Sequence, residues 1–538
     1  MRVNLLYADK DWTNTKSYYD WSSIEKDLGL TTLYELAERD LIMKNGKVMY
    51  VDREDPFLAE VMKKVIRVPL ENKEELYYRQ EVLQDCFAHE GIVDELYHQA
   101  EKVMSAWDKL GRKEKGSQAR DSKAGLITEI RVFNLLYNGM EEVKKILCDA
   151  TKRFSSRGFL QLNDRILENF SFQKRENIEQ ILKDLSFYAD ISISSMKKYT
   201  FRAKLPSYTI SCNLYDGLKL GNLKLNELET VIKNNSDPNS IVTKLQGQLS
   251  SLNPNTISLY KDTALQDDAA ELEYQVVRYV MNCCSEFIYS LGTFFEQFHL
   301  QIGFCRAAIN LRHNLQRYGL EYCFPQFREG ALRYENLQEL VMRVEQGKEI
   351  VGNDGTLDGK KLVIITGANQ GGKSTYLRSV GIAQVMMQCG LMVAAKSYCS
   401  ELYPNFFTHF TRREDSAMNS GRLDEELRRM DRIINHLGEN SLLLFNESFA
   451  TTTEKEGSVI AYDIIKALKE EGVRILSVTH LLSFAQKLFE EEKNQTESDV
   501  AFLSAEHLSD GTRTFKMIPH EPELTSFGLE LFEQVLGI

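Results

Sequence analysis

The stretch KLVIITGANQGGKSTYLRSVGIAQVMMQ, residues 361–388, passes from a short apolar run into a glycine-rich turn and then into a helical pattern. It satisfies the phosphate-loop pattern G-x-x-x-x-G-K-[ST] in the strand, loop and helix context that the pattern requires. Its glycines let backbone N–H groups converge on phosphate oxygens, and the helix beginning near Lys373 adds the positive end of its dipole. We therefore expect Lys373 to reach the β and γ phosphates of a nucleotide and Ser374 to bind Mg²⁺.

A second apolar run, SLLLF at residues 441–445, ends in Asn446 and Glu447. In P-loop ATPases this position usually carries an acidic residue that holds Mg²⁺, followed here by a carboxylate placed to orient or deprotonate the attacking water. Glu447 is therefore the candidate general base and a candidate Mg²⁺ contact through water. Asn446 can also contact Mg²⁺ through water but supplies no negative charge, so weaker Mg²⁺ binding or slow turnover is a hypothesis.

A third apolar run, VRILSVT at residues 473–479, is followed by His480. A side chain at the end of this strand could sense the γ-phosphate, which makes His480 a candidate catalytic residue. The alternative is a histidine with a purely structural role.

The spacing of apolar residues changes near residue 345. Residues 21–345 place apolar side chains at helical spacings, whereas the later residues alternate short apolar strands with helices, which is typical of a mostly parallel sheet. The sequence thus predicts a multidomain protein, with a mainly α-helical region followed by an α/β P-loop NTPase domain. Within the helical part, residues 199–262 are strand-like and rich in loop signals. Residues 267–318 predict either one long helix or two helices split near Gly292 or Gly303.

Length and composition restrict the class of protein. A chain of 538 residues is too long for one hydrophobic core and predicts about two to four domains. The N-terminus lacks a signal-peptide pattern, and no continuous apolar run could span a bilayer, so we expect a soluble, cytoplasmic protein without a membrane partner. The nine cysteines form no CxxC pair, which argues against a zinc site or a disulfide framework.

The charge distribution bears on nucleic-acid binding. A net charge of −12 argues against a protein coated in basic surface. Residues 151–204 nevertheless carry 11 Lys or Arg against 6 Asp or Glu, with aromatic residues between them. This stretch could contact a nucleic-acid backbone, and the alternative is a solvated helix face with ordinary core aromatics.

The phosphate loop is more specific than its general pattern, because GANQGGKSTYLRS resembles the phosphate loop of the MutS family. Further segments resemble that family in the same order: YCFPQF at 322–327, FFTHFTRREDSAMNSGRLDEELRRM at 406–430, FNESFATTTEKEG at 445–457, VTHLLSFA at 478–485 and LTSFGLELFEQVLGI at 524–538. The helical region from about residue 75 to 330 resembles the MutS core and lever domains more weakly.

The resemblance implies ATP and Mg²⁺ as cofactors and a homodimer with composite nucleotide sites. It assigns nucleotide contacts to Gly367, Ala368, Asn369, Gln370, Gly371, Gly372, Lys373, Ser374 and Thr375, and contacts across the dimer interface to Asn419, Ser420 and Gly421. The aromatic residue that stacks on adenine in the family has no evident counterpart; Ile350 and Val351 are candidate replacements, and the choice stays open.

The resemblance also suggests a domain plan: an N-terminal helical region at 1–74, a core and lever domain at 75–345, and an ATPase domain at 346–538. Residues 199–262 are interpreted as a reduced DNA clamp inserted in the core. Mismatch-recognising members carry a mismatch-probe domain and a connector before the core. Here the core-like pattern begins near residue 75 without a Phe-x-Glu probe, so we expect a MutS-like ATPase lacking these two domains.

The leading hypothesis is a homodimeric ATPase that moves helical levers on DNA, in mismatch repair or a related repair or recombination process. Three alternatives remain open at this point. A nucleotide-gated protein-interaction ATPase without DNA affinity would suit the net charge of −12. A nucleotide-binding switch with little hydrolysis is suggested by Asn446. A small-molecule kinase would need an acceptor pocket and a lid, which the long helices fit poorly.

Overall fold

The computed structural model describes residues 2–9, 16–44, 47–114, 123–150, 153–169, 185–187, 200–205, 208–213, 217–221, 257–258, 263–411, 421–438, 440–495, 497–508 and 512–522. Within these ranges, the structure describes only the backbone at residues 41–53, 111–130, 169–221 and 257–287.

The helices in these ranges are α1 (Trp21–Leu28), α2 (Thr31–Glu38), α3 (Pro56–Ile66), α4 (Lys73–Ala88), α5 (Glu90–Glu114), α6 (Lys123–Ala150), α7 (Arg157–Asn169), α8 (Thr263–Arg317), α9 (Leu340–Gln346), α10 (Lys373–Gln388), α11 (Arg422–Ile434), α12 (Glu454–Glu470) and α13 (Leu482–Glu492). None of these helices combines the length and apolar character needed to cross a membrane.

The strands are β1 (Arg39–Lys44), β2 (Lys47–Glu54), β3 (Leu185–Phe187), β4 (Thr200–Leu205), β5 (Tyr208–Asn213), β6 (Gly217–Gly221), β7 (Ile257–Ser258), β8 (Gln326–Phe327), β9 (Leu332–Leu337), β10 (Asn353–Thr356), β11 (Leu362–Thr366), β12 (Ser397–Ser400), β13 (Asn405–Phe410), β14 (Ser441–Asn446), β15 (Arg474–Val478), β16 (Val500–His507) and β17 (Arg513–Pro519).

The chain divides into two compact units. The first comprises Met1–Val3, Glu95–Thr151 and Gln161–His299, and the second comprises Asn4–Asp94, Lys152–Leu160 and Leu300–Ile538. The N-terminal helices α1 to α3, which flank the antiparallel hairpin β1–β2, therefore belong to the same unit as the phosphate loop. The three-domain plan drawn from the sequence remains a prediction.

The first unit contains an antiparallel sheet in which β3, β4, β5, β6 and β7 pair in chain order. Strands β4 to β7 lie in the segment 199–262, where the sequence indicates a β-containing insertion. The role of this segment as a DNA clamp stays a hypothesis, and its residues 199, 206–207, 214–216, 222–256 and 259–262 lie outside the described residues.

Helix α8 settles the choice that the sequence left open, because it runs through Gly292 and Gly303 as one helix of 55 residues. Close packing within the first unit requires glycine at position 292. A Cβ atom at this position would collide with the indole ring of Trp107 on α5, so glycine permits the close approach of the two helices.

The basic stretch 151–204 is only partly described. Phe154 and Phe159 are buried and stack on each other with ring centroids 4.0 Å apart, so these two side chains are core aromatics and do not present a surface for stacking bases. The side chains of Phe170, Phe172, Tyr188, Tyr199 and Phe201 lie outside the described residues.

The second unit is built on a six-stranded sheet in the order β13-β14-β15-β11-β16-β17. Every neighbouring pair is parallel except β16 and β17, which confirms the α/β character predicted for this region. All residues of β11 and β15 are buried, as expected for central parallel strands covered on both faces. The carboxyl ends of β11, β14 and β15 therefore meet at one edge, where a ligand can bind.

Two contacts support the phosphate-loop helix α10, one at its carboxyl end and one near its middle. The buried Arg79 of α4 donates to the carbonyl of Cys389 at 3.0 Å, and a cation at the carboxyl end of a helix complements its dipole. Leu28 of α1 packs beside Gly381, where a Cβ atom would come within 2.7 Å of its side chain. The N-terminal residues and α4 thus form part of the support for the helix that carries the loop.

Candidate nucleotide-binding site

A pocket of about 540 Å³ opens at the carboxyl edge of the six-stranded sheet. Its lining includes the predicted loop residues Asn369, Gln370, Gly371, Gly372, Lys373, Ser374 and Thr375, together with Glu447 and His480. Gly367 and Ala368 lie at the base of the same loop, where their carbonyl groups contact Lys373. The structure thus gathers residues from three separate strand ends around one cavity.

The loop needs glycine at two positions. Gly367 and Gly372 have φ angles of 109° and 90°, which side chains rarely adopt. A Cβ atom at Gly367 would also lie 2.8 Å from the backbone nitrogen of Ala505, so the neighbouring strand β16 leaves no room for one. These constraints shape the turn through which backbone N–H groups can face phosphate oxygens.

Lys373 is buried within the loop. Its Nζ donates to the carbonyl oxygens of Gly367 and Ala368, both at 2.8 Å. Burial lowers the pKa of Lys373 to about 8, and the nearby carboxylate of Glu447 opposes this shift. Phosphate oxygens would supply the negative charge that favours the protonated amine in such a site.

Ser374 and Asn446 are neighbours in space. The Ser374 hydroxyl donates to Oδ1 of Asn446 at 2.8 Å, which brings the two predicted Mg²⁺ contacts together from α10 and β14. Both offer the hard oxygen atoms that Mg²⁺ prefers, and this ion is usually held by few protein groups plus substrate phosphates. Among the described residues no group of three or more His, Cys, Asp and Glu could hold a metal by itself. The pair therefore fits a phosphate-bound Mg²⁺ with little charge from the protein.

Glu447 and His480 also line the pocket. Nε2 of His480 lies 2.9 Å from Oε1 of Glu447. This hydrogen bond lowers the pKa of Glu447, although partial burial opposes the effect, so the carboxylate is ionised and can accept a proton. The backbone of Glu447 has a φ of 56°, a left-handed conformation that costs about 1–3 kcal/mol for a residue with a side chain. Its N–H donates to the carbonyl of Val478 at 2.9 Å, one of the contacts that hold it there.

Sequence reasoning missed one prominent residue of the pocket, Phe515 on β17. Its side chain is 45% exposed, its φ is 60°, and its ring lies beside Gly372. The proposed adenine-side residues Ile350 and Val351 also line the pocket. Only strand pairing brings Phe515 there, because 140 residues separate it from Thr375 and no local motif marks it.

The contacts predicted across a dimer interface are only partly described. Asn419 and Ser420 lie outside the described residues. Gly421 is the exposed N-cap of α11 and does not line the pocket of its own subunit.

Comparison with known protein families matches two separate regions of the chain. The family model of the MutS2 N-terminal domain matches residues 71–318, and that of MutS domain V matches residues 363–535. The segment LTSFGLELFEQVLGI lies mostly inside the second match but outside the described residues.

Individual relatives match about a third of the chain. The chain is 32% identical to the DNA mismatch repair protein MutS of Thermotoga petrophila over 32% of this chain and 22% of the relative. It is 28% identical to MutS protein homolog 4 of Homo sapiens, over 30% of this chain and 17% of the relative. It is 31% identical to the endonuclease MutS2 of Pediococcus pentosaceus, over 27% of this chain and 19% of the relative.

The matched part thus spans about a fifth of the length of these curated relatives. Since models of one family match both the helical region and the region of the phosphate loop, the chain belongs to the MutS family.

Proposed function

We propose that this protein is a DNA-binding ATPase that binds and hydrolyses ATP at a dimer interface and thereby moves its helical levers on DNA. The observation that carries the proposal is the single pocket that brings the phosphate loop together with Glu447 and His480. Its relatives include proteins named for mismatch repair, which supports a setting in mismatch repair or a related repair or recombination process.

The residues of the pocket have distinct roles in this proposal. Lys373 and the loop N–H groups bind the phosphates. Ser374 would hold Mg²⁺, with Asn446 and Glu447 contacting it through water, and the ion when bound neutralises phosphate charge. Glu447 accepts a proton from the attacking water, and His480 orients its carboxylate from 2.9 Å. Asn419, Ser420 and Gly421 contact the nucleotide of the partner subunit.

Asn446 provides a test of the Mg²⁺ assignment. Asn446→Asp adds a negative charge next to Ser374, so the Mg²⁺ concentration needed for half-maximal ATP hydrolysis should fall by about tenfold, because charge on the ligands raises affinity for hard cations. Titration of MgCl₂ at fixed ATP measures the change. Asn435→Asp adds the same charge at an exposed position on the end of α11 and serves as the control. An unchanged Mg²⁺ requirement in Asn446→Asp would contradict the assignment.

DNA binding is tested with purified protein, ATP and Mg²⁺ against homoduplex, mismatched, single-stranded and branched DNA over a salt series. We expect ATP-modulated binding that weakens steeply with salt, because contacts to the phosphate backbone release counterions. Lys373→Ala should remove the ATP dependence but leave basal binding.

The second candidate function is a nucleotide-gated protein-interaction ATPase, favoured by the net charge of −12. Intact ATP hydrolysis together with no DNA binding at low salt would select this candidate and reject the first.

A further inference from the structure

The turn that carries Glu447 is held in an unusual backbone conformation. Two of its residues, Glu447 and Phe449, have φ angles of 56° and 64°. The side chain of Phe449 is fully buried and stacks on His409 of the edge strand β13, with ring centroids 5.5 Å apart. Because left-handed backbone is unfavourable for such residues, neighbouring groups must maintain it.

Glu426 of α11 supplies two of the contacts that maintain it. Its Oε2 accepts hydrogen bonds from the backbone N–H of Phe449 at 3.0 Å and from the hydroxyl of Thr451 at 3.1 Å. Both bonds go to a carboxylate and are stronger than bonds between neutral groups. On the other side of the turn, the Thr411 hydroxyl donates to the carbonyl oxygen of Glu447 at 2.6 Å.

Helix α11 is itself firmly attached to β13. The buried Arg429 lies three residues after Glu426, on the same side of the helix, and donates to the carbonyl oxygens of Phe410 at 3.0 Å and Thr408 at 2.9 Å. It also pairs at 2.7 Å with Asp27 of α1, whose side chain is only 5% exposed. Glu426 therefore projects from a helix that is held against β13. A residue that positions another side chain needs such a rigid support.

We propose that Glu426 is a positioning residue for Glu447: by holding the N–H of Phe449 and the hydroxyl of Thr451, it keeps the turn 447–451 in the conformation that directs the Glu447 carboxylate toward His480 and the phosphates. The inference rests on the proposed ATPase function. Loss of the Glu426 contacts should lower the rate of ATP hydrolysis more than the affinity for nucleotide, because the phosphate loop is held by different elements, β11, β16 and α10.

The test compares Glu426→Ala and Glu426→Gln in the full chain with Asp431→Ala, an exposed acidic residue on the same helix. Glu426→Ala should lower kcat for ATP hydrolysis by about 10- to 100-fold while KM for ATP changes by less than about threefold, as for a displaced catalytic group. Glu426→Gln keeps an oxygen that can accept both bonds, so it should stay within about fivefold of the unmodified protein. Asp431→Ala should behave like the unmodified protein.

Amide hydrogen exchange provides a readout that does not depend on hydrolysis. Glu426→Ala should speed exchange at the Phe449 amide about tenfold or more while exchange in β11 and α10 stays unchanged, because one hydrogen bond is lost locally. Equal kcat in Glu426→Ala and Asp431→Ala, equal losses in Glu426→Gln and Glu426→Ala, or unchanged exchange at Phe449 would each overturn the proposal. Absence of hydrolysis by the unmodified protein would instead reject the ATPase function, and the exchange experiment would still decide whether Glu426 holds the turn.

Discussion

Replacing Glu447 with glutamine should lower kcat for ATP hydrolysis by about 100- to 10,000-fold, which is the usual contribution of a general base. Glutamine keeps the size of the side chain and an oxygen within reach of His480, but it cannot accept a proton from water. The 2.9 Å contact to His480 and the lowered pKa of Glu447 identify an ionised carboxylate at the pocket wall. ATP binding should persist, so the variant should trap ATP.

Single-turnover hydrolysis with labelled ATP, followed beside nucleotide binding, measures both parts of this expectation. Glu471→Gln makes the same chemical change at an exposed position just beyond the end of α12 and serves as the control. Hydrolysis at the normal rate by Glu447→Gln would refute the assignment of the base and would return attention to His480.

Lys373→Ala should weaken ATP binding by about 100-fold or more. The buried amine lies inside the loop, 2.8 Å from two carbonyl oxygens, where phosphate oxygens would meet it with little competing water. A hydrogen bond to a charged group contributes about 1.5–3 kcal/mol, and Lys373 is expected to contact two phosphates, which gives an effect of this size.

Equilibrium binding of a fluorescent ATP analogue measures the loss, and thermal unfolding checks that the variant folds. Lys361→Ala, which removes an exposed lysine just before β11, is the matched control. ATP affinity within about threefold of the unmodified protein would show that this loop does not hold the triphosphate as proposed.

Local sequence was sufficient wherever the relevant residues are neighbours in the chain. The phosphate loop and its flanking elements lie within 361–388, and the structure has strand β11, the glycine turn and α10 in the predicted order. The sequence also allows the prediction that Glu447 and His480 lie close together, because residues that follow parallel strands gather at one sheet edge. Their roles in catalysis stay predictions, but the structure brings their side chains to 2.9 Å from each other.

Other features depend on contacts between distant parts of the chain, and the sequence could not reveal them. Phe515 reaches the pocket because β17 pairs with β16, and Glu426 reaches the turn at Phe449 because α11 is attached to β13. The close packing of Gly292 in α8 against Trp107 likewise joins a pair separated by 185 positions.

The sequence by itself determined the chemistry available to this protein: a phosphate loop, a carboxylate and a histidine at successive strand ends, and an α/β region that follows a helical one. These features depend on backbone conformation and side-chain periodicity over a few residues, which local residue types control. Only the tertiary structure decided which side chains complete the pocket and which hold Glu447 in its left-handed conformation. Such contacts result from packing between elements far apart in the chain, where many partners are compatible with any one local pattern.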